Sequence, residues 1–147
     1  MSLVDTLRKD MFEAKRNGDD KSSSILSIVL ADISNAKISK GDELSEEEVI
    51  DVVRKEAKKL KEAFELYTSS GRNDLAEVEK FQLDVIERYL PKLMSEEEIK
   101  AFVQDKIAEL SLPVNDLGKL MGLIMPQLKG KADGALVNKV VREIASN

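Results

Sequence analysis

Along almost the whole of this chain apolar residues recur every three to four positions, and no stretch alternates between apolar and polar for long enough to make a strand. That spacing puts the apolar side chains on one face of an α-helix and leaves a β-sheet without candidates. The punctuation agrees. Ser2 with Asp5 forms an N-cap with an acidic third position, ahead of Leu3, Leu7, Met11 and Ala14, and this helix stops near Asn17-Gly18. Asp19 or Asp20 caps a second helix, whose face is Ile25, Ile28, Val29, Ile33 and Ala36 and whose first turns carry Ser22-Ser23-Ser24, a solvated helix start. After the loop Ser39-Lys40-Gly41-Asp42, Ser45 and Glu48 form a capping box. The face behind it is Val49, Val52 or Val53, Ala57, Leu60, Phe64 and Tyr67. Ser69-Ser70-Gly71 ends that helix, and Asn73 or Asp74 caps a fourth with Leu75, Val78, Phe81 or Gln82, Val85, Ile86 and Tyr89. Pro91 stops it, because proline disfavours helix in the residue before it.

Pro91-Lys92-Leu93-Met94 is the expected hinge. A second capping box, Ser95 and Glu98, then opens a helix with Ile99, Phe102 or Val103, Ile107 and Leu110, ended by Leu112-Pro113. Asn115 or Asp116 caps the next, through Leu117, Leu120, Met121, Ile124 and Met125, which Pro126 should bend or end. Asp133 caps the last, which buries Leu136, Val137, Val140, Val141 and Ile144. The expected fold is therefore all-α. An N-terminal bundle of about four helices occupies residues 1–92, and a small three-helix domain occupies 93–147. A chain of 147 residues can bury roughly 70% of its unfolded surface in one core, whereas two smaller domains each bury less. SEEEVI and SEEEIK look like a repeat, but each is a local capping solution.

Composition narrows the chemistry. With no cysteine and no histidine, the chain has no disulfide, no thiolate site and none of the commonest general base and metal ligand. Neither a cofactor nor a metal is called for, and the carboxylates Glu77, Glu79, Asp84 and Glu87 show no acid–base pairing by spacing. No apolar run approaches the roughly 20 residues of a membrane span. The N-terminal MSLVDTLRKD carries two acids, unlike a targeting peptide, so a cytoplasmic location is expected. The net charge of −5 argues against indiscriminate polyanion binding, but local distribution decides whether a patch exists. One basic face, Arg54, Lys55, Lys58, Lys59 and Lys61, is interleaved with Glu56, Glu62 and Glu65, and i,i+4 pairing accounts for it.

The C-terminal quarter differs. Between Asn115 and Ile144 lie Gly118, Gly122, Gly130 and Gly134, four of the seven glycines. Lys119, Lys129, Lys131, Lys139 and Arg142 there face only Asp116, Asp133 and Glu143. Gly118 and Gly122 share a helix face on which another backbone can approach, either a neighbouring helix or a sugar–phosphate chain. Lys129-Gly130-Lys131 leads through Asp133-Gly134 into a helix N-terminus, where free amides, the helix dipole and lysine charge suit a phosphate. The competing reading is a solvated turn, with Asp133 rivalling any phosphate for those amides. A Walker loop is excluded by spacing.

Gly118-Lys119-Leu120-Met121-Gly122, Ile124-Met125-Pro126, Lys129-Gly130-Lys131-Ala132-Asp133-Gly134 and Val137-Asn138-Lys139 closely resemble the tail of the YqeY-like proteins. Gly71-Arg72-Asn73-Asp74-Leu75 and Tyr89-Leu90-Pro91 look like the same family, so the resemblance spans essentially the full chain. That family shares its C-terminal helical domain with the B subunit of the tRNA-dependent amidotransferase, which amidates Glu-tRNA(Gln) or Asp-tRNA(Asn). The resemblance implies an all-helical fold in two parts and a tail that holds the body of a tRNA while catalysis occurs elsewhere. The similar positions are Gly118, Gly122, Lys129, Gly130, Lys131, Ala132, Val137 and Asn138; Lys119, Lys139 and Arg142 join them on charge. The amidase Ser-Ser-Lys machinery and the ATP-using cradle have no counterpart here.

The leading expectation is a noncatalytic module binding tRNA or another structured RNA, accessory to tRNA-dependent amidation or translation. Its protein partner would be a tRNA-dependent amidotransferase or an aminoacyl-tRNA synthetase. Phosphate and shape would dominate the contact, because the tail has no aromatic residue for stacking on single-stranded bases. A protein-interaction adaptor without RNA affinity is the alternative. An enzyme acting alone would have to work through carboxylates, lysines or a bound metal, and no spacing marks such a site.

Overall fold

The computed structural model describes residues 1–146, and among them the protein is all helical, with seven helices and no strand. In order these are α1 (Leu3–Arg16), α2 (Asp20–Lys40), α3 (Glu46–Ser69), α4 (Asn73–Glu87), α5 (Glu96–Leu110), α6 (Leu117–Leu128) and α7 (Gly134–Ser146). They group into two compact units, with the break between Leu90 and Pro91. Among the described residues no helix is long and apolar enough to cross a membrane.

In the first unit, helix starts follow the local sequence. Ser2 Oγ accepts from Asp5 N–H at 3.2 Å and the Asp5 carboxylate accepts from Ser2 N–H at 3.4 Å. Asp19 Oδ1 accepts from Ser22 N–H at 3.1 Å. Ser45 and Glu48 exchange the same pair of bonds, at 3.1 and 3.0 Å, and Lys40 Nζ reaches Glu48 at 2.7 Å. The Lys40 ammonium, with the Ser45 N–H behind it, holds the Glu48 carboxyl down at about 2. Around this frame Leu7, Ile25, Val29, Val53 and Ile86 are fully enclosed.

The inward faces depart from the spacing in three places. Helix α2 buries Leu26 and leaves Ile28 41% exposed, and Ser23 is buried, donating to the Asp20 carbonyl at 3.1 Å. The serine run is thus not solvated throughout. Helix α4 buries Ala76, Leu83, Val85 and Ile86 and exposes Val78 and Phe81, because it packs on both α2 and α3 and so turns in a face the simple stripe does not describe. Arg72, not Asn73 or Asp74, is its N-cap, without a side-chain bond. Ahead of Pro91 the helix tightens into i,i+3 bonds, Tyr89 N–H to Ile86 O and Leu90 N–H to Glu87 O, both 3.1 Å. Tyr89 then donates its hydroxyl to Asp10 Oδ2 of α1 at 2.6 Å.

The Glu56 carboxyl of α3 is pushed above its ordinary range. Burial is the main cause, followed by the hydrogen bond and charge of Asp32 on α2. Glu79 on α4 adds to the rise and Lys59, 3.9 Å away, opposes it. A raised folded-state pKa means that the contribution of Glu56 to stability is complete below its unfolded value of 4.5 and is lost as pH climbs through the folded one. Glu56→Gln is therefore expected to stabilise the protein against urea at pH 7 and to make no difference at pH 4. An equal gain at both pH values would mean that the charge of Glu56 is not the cause. Acid itself also weakens the lowered carboxyls Asp5, Asp19 and Glu48, so the variant-minus-wild-type difference is the quantity to read.

In the second unit Ser95 Oγ accepts from Glu98 N–H and donates to the Glu98 carboxylate, both at 3.2 Å. The return bond from the Ser95 N–H that the expected capping box requires is not formed; the Glu98 carboxylate takes the hydroxyl instead. Asp116 Oδ1 caps α6 through Lys119 N–H at 3.1 Å. The core is Ile99 and Val103 of α5, Leu120, Ile124 and Leu128 of α6, and Val137, Val140 and Val141 of α7. Pro126 does not end α6, which runs on to Leu128. Leu128 is 2% exposed, and burying it anchors the final turn against the one backbone bond that proline removes.

Candidate nucleic-acid interface

The connection from α6 to α7 is built around one conformation. Lys129 has φ −57° and ψ 126°, Gly130 has φ +79°, and Lys131 N–H donates to Leu128 O at 2.9 Å. These are the angles and the bond of a type II β-turn, whose third position strongly favours glycine. Ala132 is buried and anchors the loop. The Lys131 carbonyl accepts from Met94 N–H at 3.0 Å, and the Asp133 carbonyl accepts from Val137 N–H at 2.9 Å as α7 begins. The backbone is thus fixed on the inside, while the Lys129 and Lys131 side chains stand in solvent.

The sequence-predicted residues do not form one cluster. Lys129, Gly130 and Lys131 lie at the α6–α7 loop. Gly118 and Lys119 lie at the other end of α6, about 15 Å away at 1.5 Å per residue. Arg142 belongs with that far end: with Asn115, Leu117, Glu143, Ala145 and Ser146 it lines an open cleft of about 440 Å³. Lys119, Lys129 and Lys131 are exposed and have no carboxylate within ion-pair distance among the described residues. The other two cations are engaged. Lys139 Nζ lies 3.3 Å from Glu96 Oε1 at the start of α5. Arg142 Nε donates to Asn138 Oδ1 at 2.6 Å, so the Asn138 carbonyl oxygen already has its donor. Val137, similar by family pattern, is buried in the core and its side chain is not available to a ligand.

Gly118 and Gly122 are both exposed. A methyl group at Gly122 would meet nothing within 4 Å, and at Gly118 only the Asp116 carboxylate at 3.8 Å. No helix of this unit uses their bareness. With Pro126 four residues further on, they give α6 an open outer face of low relief. Glu96 is the residue that sequence reasoning missed. It belongs to a local capping signal, and its partner lies 43 positions away in the chain. Among the described residues no group of three or more carboxylates is placed to hold a metal ion.

A family model described as Yqey-like protein matches residues 4–144. Among curated proteins, altered inheritance of mitochondria protein 41, mitochondrial, from Pyrenophora tritici-repentis is 26% identical over 145 residues, which is 97% of this chain and 80% of that protein. The E subunit of glutamyl-tRNA(Gln) amidotransferase from Thermococcus sibiricus is 33% identical over 151 residues, 97% of this chain but 23% of that protein. Its counterpart from Methanobrevibacter smithii matches at 39% over 56 residues, 35% of this chain and 9% of that protein. The chain therefore spans most of the fungal protein and less than a quarter of either amidotransferase polypeptide. The amidotransferase likeness expected from the sequence is found, here with the E subunit.

Proposed function

The chain belongs to the YqeY-like protein family, and we propose that its C-terminal unit is a noncatalytic module that binds tRNA or another structured RNA. The observation that carries this reading is the set of three unpaired, exposed lysines, Lys119, Lys129 and Lys131, at the two ends of the open outer face of α6. They stand in a chain similar to part of an amidotransferase named for a tRNA substrate. Lysines on a bare helix face suit phosphates approached by shape. The two units act as separate folding domains in this reading, four helices and three, and the module serves tRNA-dependent amidation beside an amidotransferase or an aminoacyl-tRNA synthetase. We place it in the cytoplasm; the mitochondrial name of a relative makes cell fractionation a direct check.

The adaptor reading draws on a different observation. Residues 1–90 carry 20 acids against 15 bases while the remainder is balanced at 8 and 8. Phe12, Ile38 and Leu66 of the first unit are more than half exposed. A protein partner held there would act in addition to the RNA site.

Fluorescence anisotropy with bulk tRNA at several salt concentrations tests the main reading. Binding through the three free lysines predicts that log K falls with log salt at a slope of about −2 to −3. Absence of binding at micromolar protein in low salt would refute it.

A further inference from the structure

We propose that Glu96 masks Lys139, occupying the position at its ammonium that an RNA phosphate would otherwise take, so that this lysine is withheld from the interface until a polyanion displaces the carboxylate. The inference rests on the RNA-binding reading above.

Two independent contacts bring the start of α5 against the basic loop and α7. Met94 N–H is held by the Lys131 carbonyl at 3.0 Å, and two residues later Glu96 Oε1 sits 3.3 Å from Lys139 Nζ. The first bond is backbone to backbone and pins the segment whatever side chains follow. The second places a carboxylate on one of the five cations of the tail. Glu97 and Glu98 stand in the same first turn, so a nucleic acid approaching Lys139 also meets their charge.

The pair is built to be displaced. Its side chains keep 56% and 43% of their exposure, and ion pairs this open are weak because water and salt screen them. A phosphate can therefore compete where several other contacts hold it in place, whereas a lone anion gains little by replacing a carboxylate already there. The unmasked lysines supply the first contacts, and Lys139 adds to binding only for a ligand that spans far enough to reach it. Glu96 thus acts as a threshold against short or sparse anions.

The test measures tRNA binding by anisotropy for wild type, Glu96→Gln, Glu97→Gln, Lys139→Ala and the Glu96→Gln/Lys139→Ala pair, with helicity checked by circular dichroism. Glu97→Gln removes the same charge from the same turn without touching an ion pair. The mask predicts that Glu96→Gln tightens binding roughly two- to fivefold, the range for releasing an exposed pair. The gain should vanish in the Lys139→Ala background. Equal gains from Glu97→Gln, or a gain that survives loss of Lys139, would reduce the effect to general acidity and overturn the mask. Salt-sensitive wild-type binding that Glu96→Gln leaves unchanged overturns the mask alone; no binding by any variant overturns the RNA reading and the mask together.

Discussion

Ile124→Ala is expected to remove about half of the stability of the C-terminal unit and to lower its melting temperature sharply. Ile124 is 0% exposed and belongs to the cluster formed with Val103, Leu120, Val137, Val140 and Val141. Truncating such a side chain costs about 2–5 kcal/mol, through lost burial and the cavity left behind. A unit of this length, at roughly 0.05–0.15 kcal/mol per residue, has only about 3–8 kcal/mol in total. One side chain therefore carries a substantial share of the stability. Leu123, its half-buried neighbour on the same helix, supplies the comparison, and Leu123→Ala should lose much less. Thermal unfolding followed by far-ultraviolet circular dichroism suits a protein without tryptophan. An Ile124→Ala melting curve that overlays wild type would mean that the cluster does not hold the unit together.

Lys119→Ala/Lys129→Ala/Lys131→Ala should weaken tRNA binding roughly ten- to a hundredfold at low salt, at about 0.5–1 kcal/mol for each exposed lysine removed. The salt slope should flatten by about 2–3 units. Folding should survive, because the three side chains are exposed and surface changes of this kind usually stay within about 0.5 kcal/mol. Sequence alone would choose Lys139 for such a variant. The structure argues for Lys119 in its place, since Lys139 already faces Glu96 and its removal takes away a charge that is largely neutralised. A triple variant that folds and binds as wild type does would move the interface off α6 and its loop.

What could be read from the sequence was local. The caps at Ser2, Asp19, Ser45, Ser95 and Asp116 are satisfied within three residues of their partners, so a short window contains all of their physics. The turn at Lys129-Gly130 is of the same kind, with a glycine where the backbone turns left-handed. The inward faces of α2 and α4 were less legible, because α2 packs on three neighbours and α4 on two, and such a helix buries a wider arc than one stripe marks. The Gly118–Gly122 face stayed ambiguous, since the same two glycines serve a neighbouring helix or an open surface equally well. Tyr89 to Asp10, Glu56 to Asp32 and Lys139 to Glu96 join residues far apart in the chain. No local pattern announces such pairs, and the last of them changes which cations a ligand meets first.

Pro126 also bears on what the outer face of α6 offers to an incoming surface. Having no N–H, it leaves the Gly122 carbonyl without the donor that the helix would supply four residues on, on a face with open space at Gly122. Gln127 partly reinforces the next position, its side-chain amide donating to the Leu123 carbonyl at 3.1 Å. The missing rung lies between Gly122 and Pro126 on the outer side, while Leu128 holds the helix end from within. The Gly122 carbonyl thus keeps acceptor capacity for water or for a donor on an incoming surface, while the loop beyond it stays on its inner anchors, Leu128 and Ala132.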